Sequence, residues 1–346
     1  ITDNNEFENL INWYRGYQID DVKSGLVTVD ATTIRRKQIG GVLHSRPILV
    51  NYGFTGTQAA AASDPDKQDN VLYFSTLEGT LHAVDAKTGI ENFAFIPGEK
   101  LALLPSLFAN PTQDLPEFGM DLTWSVLRKD ADGDGTPEKI YLYGGMRMGG
   151  SNYYALDVSN KTAPSLLFSI KGGTGSYSKL GQSWSQPTVA AMRIGGSIKN
   201  VLVFGGGYDP KNEIENTVYS SDDIGNAIYI VNAETGELIA SVDNSNNADM
   251  KFGIPAQPKT VDVNGDGLID HIYVGDMGGQ IFRVDLDNRP AATSVVKRVK
   301  TLAKLAGSGV VGQRRFYEPP TVALFKDTSG TIFAAVGLGS GYRSHP

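Results

Sequence analysis

The chain contains no cysteine, which excludes a disulfide framework, a thiolate metal site and a cysteine nucleophile. No apolar run reaches the roughly 18 residues that a membrane-spanning helix needs. Long helical periodicity is nearly absent: "EFENLINWYRGY" (6–17) is the main helical candidate and "GEKLALLPSLF" (98–108) the second. No signal-peptide pattern is visible, and "ITDNNEFENL" reads as the trimmed start of a mature fragment. Basic charge is scarce and scattered. The net charge is −7, and "IRRK" (34–37), "KRVK" (297–300) and "QRR" (313–315) are too short for a phosphate-binding surface, so nucleic acid is not an expected partner. All three are expected on solvated strand faces. The four histidines (His44, His82, His271, His345) stand singly, without ligand spacing, and are expected as packed or edge residues. There is no G-x-S-x-G elbow, and "GGGYDP" precedes no predicted helix, which argues against a phosphate cradle. No catalytic constellation emerges, and the chain is expected not to be an enzyme.

What the chain does have is glycine, proline and alternation. Its 346 residues include 40 glycines and 16 prolines, and period-2 patterning dominates. A unit recurs. It opens on a small residue and proline before a β-branched strand: "HSRPILV" (44–50), "WSQPTVA" (184–190), "PAQPKTV" (255–261), "EPPTVAL" (318–324), with "TWSVLR" (123–128) lacking the proline. A second strand follows ("NVLYFST", "KIYLYGG", "NVLVFGG", "HIYVGD", "TIFAAVG"). In four units a third strand ends in Asp or Asn, where Asp157, Asn232 and Asp285 are expected to cap turns.

One such unit cannot bury both faces of a small sheet, and radial stacking solves that problem. The fold class is therefore all-β, a propeller with at least five blades visible and a short N-terminal helix. A single domain is expected over 1–346, with a lead-in at 1–39 and blades from 40, the last incomplete. The insertion "GFTGTQAAAASDPDKQDN" (53–70) is expected to be mobile.

Two stretches, "DADGDGTPE" (130–138) and "DVNGDGLID" (262–270), share the pattern D-x-[DN]-G-D-G-x-x-[DE]. Positions 1, 3 and 5 place oxygen side chains on one side of a tight coil: Asp130, Asp132 and Asp134 in the first, Asp262, Asn264 and Asp266 in the second. Glycine at position 6 permits the bend, position 7 (Thr136, Leu268) offers a backbone carbonyl, and Glu138 or Asp270 closes the loop. The seven carboxylates of the two loops equal the formal excess of 38 acidic over 31 basic residues. Crowded oxygen-only ligands select a hard divalent cation, and flexible geometry favours Ca²⁺ over Mg²⁺ at both sites. Asn264 stands where the first loop has Asp132, so weaker binding is expected at 262–270. Whether each ion is a structural clasp or a switch stays open.

"AVDAKTGIENF" resembles the repeat of quinoprotein dehydrogenase propellers, A-x-D-x-x-x-G-x-x-x-W. Phe93 and Ala240 stand where tryptophan docks, and the vicinal cysteines common in those enzymes are impossible here. The likeness implies blade architecture without the cofactor.

A second resemblance covers nearly the whole chain from about residue 40. "GGVLHSRPILV", "WSQPTV", "NVLVFGGGYD", "GNAIYIVNAETGEL", "DVNGDGLIDHIYVGDMGGQIFRVDL" and "GLGSGYRSHP" occur in order and resemble the C-terminal domain of the type IV pilus biogenesis and tip adhesin proteins (PilC/PilY). It implies a modified seven-bladed propeller and a calcium site at Asp262, Asn264, Asp266, the Leu268 carbonyl and Asp270. It also implies a place at the outer membrane or pilus tip, with minor pilins as partners and a host-cell receptor as a further one. The implied role is to favour pilus extension, adhesion and twitching motility in a calcium-dependent way. The RGD tripeptide of some relatives is absent, "RGY" (15–17) being the nearest text. The alternatives are a quinone-dependent oxidoreductase, and a calcium-clasped, integrin-like extracellular propeller with an unrelated ligand.

Overall fold

The prolines that open the repeat stand just outside the sheets they introduce. In the computed structural model, which describes residues 3–36, 39–110, 118–214 and 217–342, strands begin directly after Pro47, Pro187, Pro258 and Pro320. Proline has no N–H to give to a ladder, so the position before the first strand suits it.

The chain starts with α1 (Asn4–Tyr14), whose N-cap Asp3 accepts from the N–H of Glu6. Blade 1 then comprises β1 (Ile48–Phe54), β2 (Gln68–Ser75), β3 (Leu81–Asp85) and β4 (Glu91–Phe95), with the short helix α2 (Gln58–Ala62) between its first two strands. A 3-10 turn, Gly98–Leu103, and α3 (Leu104–Ala109) follow, and Leu10 of α1 packs with Leu104 of α3. Blade 2 is β5 (Ser125–Lys129), β6 (Lys139–Gly145), β7 (Tyr153–Asp157) and β8 (Ser165–Ile170). Blade 3 is β9 (Thr188–Ile194), β10 (Ser197–Gly205), β11 (Ile228–Asn232) and β12 (Leu238–Val242). Blade 4 is β13 (Lys259–Val261), β14 (His271–Gly275), β15 (Gln280–Leu286) and β16 (Val296–Lys304), and β17 (Thr321–Lys326) pairs with β18 (Ile332–Gly337) in a fifth, two-stranded sheet. The four larger sheets are antiparallel meanders in chain order. Among the described residues no helix is long and apolar enough to cross a membrane.

Four expectations need correcting. Blades 1 to 4 have a fourth strand that sequence reading missed, because this strand is mostly half-exposed and its apolar alternation is weak. The 53–70 insertion is not a plain loop: Thr57 caps α2 and Asp64 caps a 3-10 turn at Pro65–Lys67. The second helical candidate divides into a 3-10 turn and α3. Of the basic groups only "KRVK" lies on a strand; Arg35 and Arg36 sit over the rings of Tyr17 and Trp13, and Arg315 is buried, donating to the carbonyl of Asn212 at 2.8 Å. Lys37 and His345 lie outside the described residues.

Alternation along each strand builds the core. On β10, Val201 and Val203 join a cluster shared with blade 4, while Leu202 and Phe204 join one shared with blade 2. On β6, Ile140 and Leu142 face blade 1 whereas Tyr141 and Tyr143 face blade 3. Trp124 lies in the core between blades 1 and 2, its indole donating to Ser75 Oγ at 2.6 Å. Gly144 makes room for it, since a Cβ there would fall 2.3 Å from the ring. Trp124→Ala is expected to cost about 3–5 kcal/mol, read as a lowered thermal midpoint.

Asp276, in the turn after β14, is fully buried and accepts from the N–H groups of Gly278 and Gln280 and from Gln280 Nε2. Burial outweighs those hydrogen bonds and pushes its carboxyl up to about 7. A carboxyl raised in the folded state stabilises the fold at low pH, fully below the unfolded value of about 4, and the contribution is lost as pH rises through the folded value. The parent protein is therefore expected to lose thermal midpoint between about pH 4 and pH 7, and Asp276→Asn to flatten that fall.

Candidate metal centre

The two acidic loops occupy the same place in the repeat: 130–138 joins β5 to β6, and 262–270 joins β13 to β14. The coil is local in origin. In each loop the two glycines adopt left-handed backbone, Gly133 and Gly135 at φ +72° and +91°, Gly265 and Gly267 at +77° and +83°. That geometry turns successive N–H groups toward the acidic side chains.

In the first loop Asp130 Oδ2 accepts from Gly135 N at 3.1 Å, Asp132 Oδ1 from Asp134 N at 3.2 Å, and Glu138 Oε2 from Ala131 N at 2.8 Å. Asp130, Asp132 and Glu138 each bring a carboxylate oxygen within 4.8 Å of the others, the one such group among the described residues. Asp134 is not part of it; its Oδ1 accepts from Thr136 N at 2.6 Å. Asp130 Oδ1 is buried and has no hydrogen-bond partner. Three carboxylates gathered this closely, one of them with a buried oxygen that lacks a hydrogen-bond partner, have the donor chemistry of a hard-cation site, so these residues fit Ca²⁺. The N–H of Ala131 holds Glu138 below the usual carboxyl range and so keeps it ionised.

The second loop has the same fold with its oxygens turned inward to the backbone. Asp262 accepts from Gly265 N at 2.7 Å and Gly267 N at 2.8 Å, and the latter bond chiefly lowers its carboxyl. Asn264 Oδ1 accepts from Asp266 N, Asp266 Oδ1 from Leu268 N, and Asp270 Oδ2 from Val263 N. Leu268 is buried. Its carboxylates form no such three-membered group among the described residues.

Sequence reading missed Arg128. Its Nη1 pairs with Asp130 Oδ2 at 3.2 Å, Nη2 donates to the Gly135 carbonyl, and Nε donates to the Asn51 carbonyl at 3.2 Å. Alternation held the clue, because residues two apart on a strand share a face. The histidines also have polar roles. His44 lies 2.5 Å from Asp121 with Arg147 beside it, His82 pairs with Glu91 at 2.6 Å, and His271 Nδ1 lies 2.9 Å from Asp285. Asp157 and Asn232 cap turns as expected. Asp285 instead pairs with Arg283 and Arg298, and Asp287 takes the turn, accepting from Arg289 N. Of the tryptophan-dock positions, Phe93 lies against Tyr73 at 6.1 Å between ring centroids, and Ala240 pairs with Ile230 in the sheet. "GGGYDP" precedes only a four-residue 3-10 turn, capped by Asp209.

Antiparallel four-stranded sheets in series, with acidic loops on the first hairpin of alternate blades, define a β-propeller with candidate cation loops. The chain belongs to the PilY1 beta-propeller domain family, whose profile matches residues 49–312. It is 29% identical over 284 residues to the type IV pilus biogenesis factor PilY1 of Pseudomonas aeruginosa UCBPP-PA14, covering 79% of this chain and 23% of that protein. A PilY1 homolog of Xylella fastidiosa is 25% identical over 310 residues, with 81% and 19% covered. The chain thus spans about a fifth of the length of these curated relatives, which are named as pilus biogenesis factors and not as enzymes. The crystal structure of the Pseudomonas aeruginosa PilY1 C-terminal domain is similar in fold, with TM-score 0.56, 23% identity, and 85% of this chain and 59% of that chain covered.

With one more carboxylate, the 130–138 loop is expected to bind Ca²⁺ about tenfold more tightly than 262–270. Titration calorimetry on Asp130→Ala and Asp270→Ala, each leaving one loop intact, measures the order; the reverse order refutes it.

Proposed function

We propose that this chain is a non-enzymatic, calcium-binding propeller of a type IV pilus-associated adhesin and biogenesis protein. The propeller is one unit, with 1–39 as its lead-in and the sheets from 40 onward as blades. The supporting observation is the repeated acidic loop at equivalent hairpins of a PilY1-family chain, one copy holding Asp130, Asp132 and Glu138 within reach of a single ion. Asp134 and the Thr136 carbonyl complete the first ligand set; Asp262, Asn264, Asp266, the Leu268 carbonyl and Asp270 form the second.

The ion's contribution is linkage. Calcium binds the ordered coil in preference to the disordered one, and so stabilises the hairpin and the blade edge that the coil joins. The ordered propeller then presents a surface to minor pilins at the pilus tip and to a host-cell receptor, favouring extension, adhesion and twitching motility. Its place is the cell surface, at the pilus tip or the outer face of the outer membrane.

The test is Asp270→Ala in the full-length protein, which removes the closing ligand of the second loop and leaves its glycine turn intact. The expected outcome is a calcium affinity at 262–270 lowered by tenfold or more, with reduced capture of minor pilins and reduced twitching. Unchanged affinity together with normal piliation and motility would sink the switch. Calcium binding without any minor-pilin capture by the parent protein would favour an unrelated extracellular ligand.

A further inference from the structure

The 130–138 loop does not end at its own carboxylates. Arg128, half-buried on β5, is held by three oxygens from two blades: the Asn51 carbonyl on β1, Asp130 Oδ2, and the Gly135 carbonyl within the loop. Gly135 lies directly against the blade 1 insertion, since a Cβ on it would fall 2.6 Å from the Phe54 ring. One residue on, Thr136 lies against Gly53, where an added Cβ would sit 3.2 Å from its Oγ1. Between the loop and α2 is an open cavity of about 410 Å³, bordered by Phe54, Gln58, Ala61 and Ala62 on one side and by Arg128 and Asp130 on the other. The insertion is anchored at its base by Thr55 N to the Lys67 carbonyl at 2.8 Å and by Gln68 Nε2 to the Ala61 carbonyl at 3.0 Å. Lys87, in the turn after β3, donates to the Asp66 carbonyl at 3.1 Å on its other side.

We propose that the 54–68 insertion of blade 1 reads the occupancy of the 130–138 loop, with Arg128 as the positioning residue that couples them. The inference rests on the calcium reading of that loop and adds to it a responding element. Without the ion, the guanidinium is the cation that neutralises Asp130. Calcium supplies that charge, fixes residues 134–136, and drives the guanidinium toward the two carbonyls, because like charges repel across a short distance. Phe54 then docks on a rigid Gly135 instead of a moving one. By reciprocity, an ordered insertion raises the calcium affinity of the loop by the same factor.

The experiment is hydrogen–deuterium exchange of 54–68, with and without CaCl₂, paired with calorimetry on the same intact protein. An Asp270→Ala background confines binding to the first loop. In that background calcium is expected to slow exchange in 54–68 by about tenfold. With Arg128→Gln added, calcium is expected still to bind, the gain from removing the competing cation offset by the lost coupling, yet to leave exchange in 54–68 unchanged. Arg128→Lys guards against misfolding: it keeps the charge but cannot span both carbonyls, so it should lose the coupling and, with it, up to about tenfold in calcium affinity. Calcium still slowing exchange in folded Arg128 variants overturns the proposal. Calcium binding at 130–138 with no change in 54–68 overturns it too and leaves the calcium reading standing. No heat abolished by Asp130→Ala overturns both.

Discussion

Each blade has two apolar faces and no way to bury either alone; the rest of the structure follows from that constraint. Successive residues of β6, β10 and β11 point into different cores. Ile228 and Ile230 pack toward blade 4, while Tyr229 and Val231 pack toward blade 2. The blade cores therefore lie at the boundaries of blades 1 and 2, 2 and 3, and 3 and 4, beside a smaller cluster that joins the lead-in to α3. Stability in such an arrangement is a sum of neighbour contacts, with no single centre.

The acidic loops inherit their positions from this packing. Ile140 follows Glu138 by two residues and is fully buried between blades 1 and 2; Ile269 precedes Asp270 and is buried between blades 3 and 4. The closing carboxylate of each loop is thus placed by a neighbour fixed in a core. Backbone hydrogen bonding extends the hold, with Ile269 N donating to the Ala191 carbonyl of blade 3. A glycine-bent coil ends on a strand packed in a core, so the closing carboxylate of each loop is more tightly placed than the carboxylates that open it.

Much of this was legible in the sequence because it is written in short-range code. Proline before a β-branched strand, alternation, and the glycine–aspartate coil each have local physical causes, so blade order and both loops follow from the residues. The fourth strands were not legible, since a half-exposed strand has no need of apolar alternation. Nor was Arg128's reach to Asn51, 77 residues away in sequence, nor the exchange of Asp285 from turn cap to partner of two arginines. Those depend on which strands become neighbours. The sequence also could not separate the loops by geometry: both fit one pattern, yet only 130–138 draws three carboxylates together.

The boundary between blades 2 and 3 has no acidic loop and is built differently. It is rich in tyrosine, and two of its phenols reach across to backbone carbonyls, Tyr143 to Ala233 at 2.8 Å and Tyr153 to Ser185 at 2.7 Å. Burial pushes both phenols well above the ordinary tyrosine value, so these pins stay protonated around neutral pH. The middle seam is thus pinned by phenols, and on either side of it lies a seam that abuts an acidic coil, so the two kinds of boundary alternate along the chain.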